Sequence, residues 1–255
     1  MPIVTCLCGL QLDAEDATSL NDAYWKHTDQ THSEFAISDV RRQNATDALL
    51  RTGGWDGKRA RLAGAVDVRP LAAASVEDYL HYFDQDAFSD NPAWASCYCV
   101  AYNVEIASEE FDGRTAAQNR ETKAIMIERG EATGVLAYSA GRVVGWCNAG
   151  PRTSFPLLDR YPEFAVDRPT TSGAIVCFVI APAYRGQGLA RKLLDGACDM
   201  LRARGLKTVF AYPPMRPGTD AGSYHGKLPM YLDAGFEETG AATSRYLVVS
   251  KSLQT

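Results

Sequence analysis

Apolar positions along the chain follow two rhythms. "GAIVCFVIA" (173–181) is apolar without interruption for the length of one strand, which predicts a strand buried on both faces. Beyond Leu189 the apolar residues return every three or four positions. Ala190, Leu193, Leu194, Ala197 and Leu201 share one face of a helix predicted over 188–204, with Gly205 as its stop. Strand-like stretches also occur at "VDVRPL", "LKTVFAYP" and "SRYLVVSKSL", and "LPMYLDAGF" reads as a short helix. "TGVLAYSAGRVVGWCNAGPR" reads as two strands joined at Ala140-Gly141. Helical periodicity marks "SVEDYLHYFDQDAF", capped by Ser75, and "DGRTAAQNRETKAIMIERGE". The aromatic stretch "NPAWASCYCVAYN" is expected to be strand plus loop, and 151–173, with four prolines, a long surface loop.

The first 35 residues form a unit with its own pattern. "IVTCLCGLQLDA" alternates and bends at Gly9, as a short hairpin does. "DATSLNDAYWKHTDQTH" follows as a helix with Asp16 at its N-cap and Leu20, Ala23, Tyr24 and His27 on one face. Residues 36–62 read as a helical connector running into the polar, glycine-bearing "RTGGWDGKRA". The pattern thus divides the chain into a small N-terminal unit (1–45), a linker (46–63) and a mixed α/β, or α+β, domain (64–255).

Composition narrows the function. Of 255 residues, 46% are apolar and 22% charged, enough to build a sizeable core, and the formal net charge is −5. Nucleic acid and anionic membranes select a basic face, so neither is expected as a partner, whereas cationic amines are compatible. No apolar run reaches membrane-spanning length, and the acidic start is unlike a signal peptide; the expected location is cytoplasmic. An odd cysteine count fits reduced thiols, with Cys147, Cys177 and Cys198 as small core residues.

The chemistry concentrates in "VIAPAYRGQGLARKL" (179–193). A helix N-terminus offers unpartnered N–H groups and the positive end of its dipole, and Gly186 and Gly188 let a bulky anion approach the backbone. Together they make a diphosphate cradle, with Arg185 adding charge beside it. The Gly-Lys-Ser/Thr end of a nucleotide-triphosphate loop is missing, and so is the first glycine of the dinucleotide fingerprint.

Arg185-Gly186-Gln187-Gly188-Leu189-Ala190 resembles the acyl-CoA signature Gln/Arg-x-x-Gly-x-Gly/Ala of the GNAT superfamily of N-acetyltransferases. "MYLDAGFEE" resembles that family's Tyr-x-x-x-Gly-Phe element. The resemblance covers residues 64–255. It implies a central mixed, mostly antiparallel sheet, splayed at the acyl-CoA site and flanked by helices. It implies acetyl-CoA as cosubstrate, its pantetheine arm paired with backbone groups of Phe178, Val179 and Ile180, and direct attack by an amine on the thioester. Tyr231 matches the position that protonates the departing sulfur. Segments "W-x-x-C-Y-C" and "G-W-C-N" resemble a subgroup containing antibiotic acetyltransferases of the kasugamycin type. That implies a small-molecule amine acceptor, such as an aminoglycoside-like antibiotic; a protein lysine or N-terminus, or a non-catalytic CoA-sensing role, remain alternatives.

The acceptor site is expected among Trp94, Tyr98, Tyr102, Trp146, Asn148 and His225. Glu163, Asp159, Asp84 and Asp86 are candidate bases for the incoming amine. In the N-terminal unit, Cys6, Cys8, His27 and His32 have the order of a Cys2His2 zinc site on a ββα-like frame. Cys-x-Cys on one strand puts both sulfurs on one face. Lys26 is the only base among residues 1–40 against seven acids, so this unit is not expected to read DNA. It is expected to pack on the catalytic domain or on a second subunit of a homodimer. The second Cys-x-Cys, Cys97 and Cys99, has no matching histidine pair and is not expected to bind metal.

Overall fold

The computed structural model describes residues 1–6, 8–34, 37–216, 218–219 and 223–254. The N-terminal unit begins with the hairpin β1 (Ile3–Thr5) and β2 (Gln11–Asp13), turning through Gly9 at φ 91°. Helix α1 (Ala17–Thr31) starts where the Asp16 carboxylate accepts the Ser19 N–H. Helix α2 (Asp39–Thr52) is capped by Ser38 and ends at the left-handed Gly53. Val4, Leu20, Tyr24, Ala45 and Leu49 close a small core between these elements. The expected linker at 46–63 is therefore occupied first by the end of α2, whose Leu49 belongs to that core.

The larger sheet has strand order β3-β4-β5-β6-β7-β9-β8. Its strands are β3 (Asp67–Pro70), β4 (Gly134–Ser139), β5 (Arg142–Pro151), β6 (Ser172–Ile180), β7 (Thr208–Ala211), β8 (Glu237–Ala242) and β9 (Leu247–Ser252). Every neighbouring pair is antiparallel except β6 and β7. Ala140 and Gly141, both at positive φ, make the β4–β5 turn as expected. Between β3 and β4 run α3 (Val76–Gln85), α4 (Pro92–Ala95), α5 (Ser108–Asp112) and α6 (Ala116–Glu128). Helix α7 (Leu189–Ala203) follows β6, and α8 (Leu228–Asp233) precedes β8.

Two apolar layers sandwich the sheet. Leu189, Leu193, Leu194, Ala197 and Leu201 of α7 pack on Val135, Val144 and Cys147 of one face. Tyr79 and Phe83 of α3 pack with Tyr98, Trp146 and Phe155 on the other. Emptying one such position, as in Leu193→Ala, costs about 2–5 kcal/mol.

Two expectations are corrected here. "NPAWASCYCVAYN" is not a strand. Pro92 opens a short helix, and Tyr98 and Cys99 then take left-handed φ values of 45° and 49°, which no strand accommodates. Residues 151–173 are not a loose surface loop. Four 3-10 turns, three of them opened by a proline, bury Phe155, Leu158 and Phe164. The exposed strand β8 has no apolar signal and was not visible in the pattern.

Candidate active site

Strand β6 carries the site because of one irregularity. Asn148 pairs with Cys177 and Ala149 with Ile175, leaving Val176 as an extra residue. Such a bulge bends and twists its strand. The pairing with β7 ends at the same place, at Ile175 opposite Ala211. From Val176 to Ile180, β6 has no strand beside it on the β7 side among the described residues, and the sheet splays.

A cleft of about 920 Å³ opens along this gap. At one end lies the turn before α7, with Gly186 and Gly188 both at φ 77° and nothing within 4 Å of where a Cβ would stand. That backbone is closed to other residues and leaves room for a bulky group. No side chain caps the α7 N-terminus. Leu189 and Ala190 also line the cleft, and Leu189 anchors the helix in the core.

Arg185 does not stand free beside the turn. Its guanidinium holds the carboxylate of Asp90, Nη2 to Oδ1 at 2.9 Å, and its Nε donates to Ile180 O at 3.0 Å. It fixes the turn to β6 and to the segment before α4. Gln187 points away from the cleft, donating to Ala60 O and accepting from Leu62 N–H. The strap 53–63 is thereby tied onto the turn and brings Trp55 and Arg59 to the cleft wall; Arg59 donates to Pro182 O at 2.8 Å. Sequence inspection missed Arg59. Its basic neighbourhood, "GKRAR", was the available signal. With Arg59, Arg191 and Lys227 on the wall, this end of the cleft is cationic.

Further along, Phe178, Val179 and Ile180, the residues expected to meet the pantetheine arm, line the cleft. Tyr82 of α3 donates to Val179 O at 2.9 Å and holds the strand. The Phe178 N–H donates to Tyr224 O at 2.6 Å, so the segment after β7 lies across the free edge. Tyr231 is fully buried, its hydroxyl donating to His225 O at 2.6 Å. Burial raises its pKa well above that of a free phenol, which keeps the proton on. It is not among the cleft-lining residues: Gly226 covers it, a Cβ there falling 3.1 Å from the hydroxyl.

The far end is aromatic. Trp94, Tyr102, Tyr224, His225 and Tyr246 meet there. His225 is buried, its Nε2 lies 2.9 Å from the Tyr102 hydroxyl, and burial pushes its pKa down to about 3, so the ring is uncharged. Trp94 and His225 line this end of the cleft. Trp146, Asn148 and Glu163 do not. Trp146 and Asn148 are sealed inside the sheet, Asn148 donating to Cys99 O, and Glu163 is exposed beside the cleft without lining it. Asp84 is engaged by Arg120, and Asp159 by Arg152. Tyr98 is a core residue donating to Asp84.

The Cys/His set comes together in the N-terminal unit. Ligand atoms of Cys6, Cys8, His27 and His32 all lie within 4.8 Å of one another. Cys8 Sγ is 3.4 Å from His27 Nε2. Bond lengths of zinc at a tetrahedral angle separate such a pair by about 3.5 Å, so these donors fit the ion. His27 Nδ1, 3.3 Å from the Thr31 hydroxyl, fixes the ring. The same hairpin reaches the cleft. Thr5 N–H donates to Asp90 O, and Thr5, Gly9 and Gln11 line the wall.

A splayed sheet with an uncapped, glycine-led helix at the splay sets an anion-binding turn beside a free strand edge. The sequence model of the acetyltransferase (GNAT) family matches residues 76–228, more than half of the chain, and the chain belongs to that family. Solved structures similar to it include an N-acetyltransferase from Staphylococcus aureus Mu50 (14% identity, 75% of this chain and 100% of that one, TM-score 0.45). Another is the PaiA N-acetyltransferase of Thermoplasma acidophilum in complex with coenzyme A (13%, 74% and 99%, TM-score 0.44). A third is the ribosomal-protein-alanine N-acetyltransferase of Brucella melitensis (18%, 73% and 99%, TM-score 0.44). No curated protein matches. Among the described residues, no helix is long and apolar enough to cross a membrane.

Proposed function

We propose that the protein is an acetyl-CoA-dependent N-acetyltransferase that acts on a small-molecule amine. One observation carries the reading: the glycine turn at Gly186–Gly188 and an aromatic chamber lie at opposite ends of one cleft, with the free edge of β6 between them. The pyrophosphate of the cosubstrate sits on the amides at the start of α7, assisted by Arg59, Arg191 or Lys227. The pantetheine arm runs along Val176–Ile180. There the thioester carbonyl takes the Phe178 N–H that Tyr224 O holds in the free protein, and this amide stabilises the oxyanion.

The uncharged amine nitrogen attacks the carbonyl carbon, the C–S bond breaks, the nitrogen's surplus proton passes to solvent, which later reprotonates Tyr231, and the products are an acetamide and the CoA thiol. Withdrawal of the 223–227 segment from β6 also releases the Tyr231 hydroxyl from His225 O, and the protonated phenol supplies the thiol proton. No acyl-enzyme is needed. Buried Cys177 has no imidazole beside it in the described structure to activate it.

In the same reading Cys6, Cys8, His27 and His32 hold one structural zinc ion, which substitutes for the core that so small a unit lacks. Thiol release from acetyl-CoA in the presence of an amine tests the transferase assignment. Steady release requires the amine, and tight CoA binding without transfer to any acceptor would favour a CoA-sensing role instead.

A further inference from the structure

Three buried polar atoms on the wall of the aromatic chamber have no hydrogen-bond partner among the described residues: Asn91 Oδ1, Trp94 Nε1 and His225 Nδ1. Orphaned buried groups of this kind are rare in folded proteins and call for a specific reason. One is an acceptor, one a donor, and the third takes whichever role the Tyr102 bond to the other ring nitrogen leaves it. Rings connect them: Trp94 to Tyr224 at 5.4 Å between centroids, Tyr224 to His225 at 4.3 Å, and His225 to Tyr246 at 4.7 Å.

The charge on this wall is equally specific. Among the described lining residues the one carboxylate is Asp90, and Arg185 already neutralises it. The remaining charged side chains of the cleft, Arg59, Arg191 and Lys227, are cations at its glycine-turn end, so the chamber itself offers an incoming ammonium no free carboxylate among the described residues. Tyr102, Tyr224 and His225 face the chamber uncharged at neutral pH. A polycation entering here would leave several ammonium groups desolvated without counterions, at a cost of several kcal/mol each. A single amine on a flat body loses little, because ring faces attract one ammonium and stack on one ring.

We propose that the acceptor is a monoamine with a flat aromatic body and a hydrogen-bonding substituent, seated against the ring wall of Trp94, Tyr224 and His225, and that polycations such as aminoglycosides are excluded. This rests on the acetyltransferase reading and names its substrate class. The negative charge of the whole chain pointed toward cationic ligands in general; the chamber wall reverses that locally.

The test uses tyramine and spermidine as probes, titrated by calorimetry into full-length protein saturated with CoA. Tyramine is expected to bind at least about tenfold tighter than spermidine, as one cation–π and stacking contact set is worth against unpaired charge. Trp94→Ala weakens tyramine about tenfold with CoA affinity unchanged, and Trp94→Phe, which keeps a ring but removes the N–H, weakens it about threefold. The proposal is overturned if spermidine binds as tightly as tyramine, if both Trp94 variants bind tyramine like the wild type, or if neither probe binds below about 10 mM. Failure of CoA itself to bind the wild type overturns the acetyltransferase reading instead, together with the inference that rests on it.

Discussion

The Phe178 N–H donates to Tyr224 O at 2.6 Å, across the gap that the bulge at Val176 opens beside β6. The amide expected to meet the thioester is thus held by the wall of the aromatic chamber. In the proposed reading acetyl-CoA would displace that carbonyl and set the Tyr224 and His225 rings, so binding is expected to be ordered, cosubstrate first. A non-hydrolysable acetyl-CoA analogue is expected to compete with acetyl-CoA and not with the amine, and amide exchange at 223–227 is expected to change on adding CoA alone. Competition of the analogue with the amine would contradict this.

Asp90 is almost fully buried, and its carboxylate partners Arg185 while its carbonyl accepts from Thr5. Asp90→Ala strands the guanidinium and frees the turn before α7. The expected loss is about 3 kcal/mol of stability, the range for breaking a largely buried pair from one side. A rise of about tenfold in the Kd for CoA accompanies it. Denaturant titration and calorimetry measure the two separately.

Tyr231→Phe keeps the ring in its buried site and removes one hydrogen bond, worth about 1 kcal/mol. If the phenol protonates sulfur, kcat falls by about 10²-fold, the usual yield of a positioned acid, while the Kd for CoA stays within twofold. An unchanged kcat would reassign Tyr231 to packing.

Zinc analysis of the purified chain is expected to give one ion per molecule, and Cys8→Ser to lose it. Because the β1–β2 hairpin reaches Asp90 and the cleft wall, chelation lowers the thermal midpoint and weakens CoA binding together. Loss of metal with neither consequence would detach this unit from the site.

Lys123 is fully buried, its Nζ donating to Cys99 O and Asn103 Oδ1, and burial pushes its pKa down to about 8. The folded protein therefore releases this proton at lower pH than the unfolded chain. Charging Lys123 destabilises the fold below pH 8, and that penalty is relieved as pH rises from about 8 toward the unfolded value near 10.4. Relative to Lys123→Met, wild-type stability is expected to rise between pH 8 and 9.5 in denaturant titrations. A flat difference would contradict the buried ammonium.

Much of this site was legible because its chemistry is local. A strand, two glycines at left-handed turns and an amphipathic helix are contiguous from Ser172 to Ala203. The Cys/His set was legible because hairpin and helix bring its members together by short-range geometry. The rest depends on long-range contacts that no window of sequence contains. Arg59 reaches the cleft only because Gln187 ties the strap 53–63 to the turn, and Trp146 is lost to the core by the inward register of β5. Asn91 gave no signal of its own. Its role comes from an unpaired oxygen in a wall built from four segments.

Calorimetry with CoA against the wild type and Gly188→Val tests the central claim most directly. The account predicts one CoA per chain with a Kd in about the micromolar range, competed by inorganic pyrophosphate and weakened at least about tenfold by the variant. A valine at that left-handed position displaces the amides that grip the phosphates. Folded wild-type protein that gives no heat with CoA at millimolar concentration, about the weakest useful affinity, would contradict it.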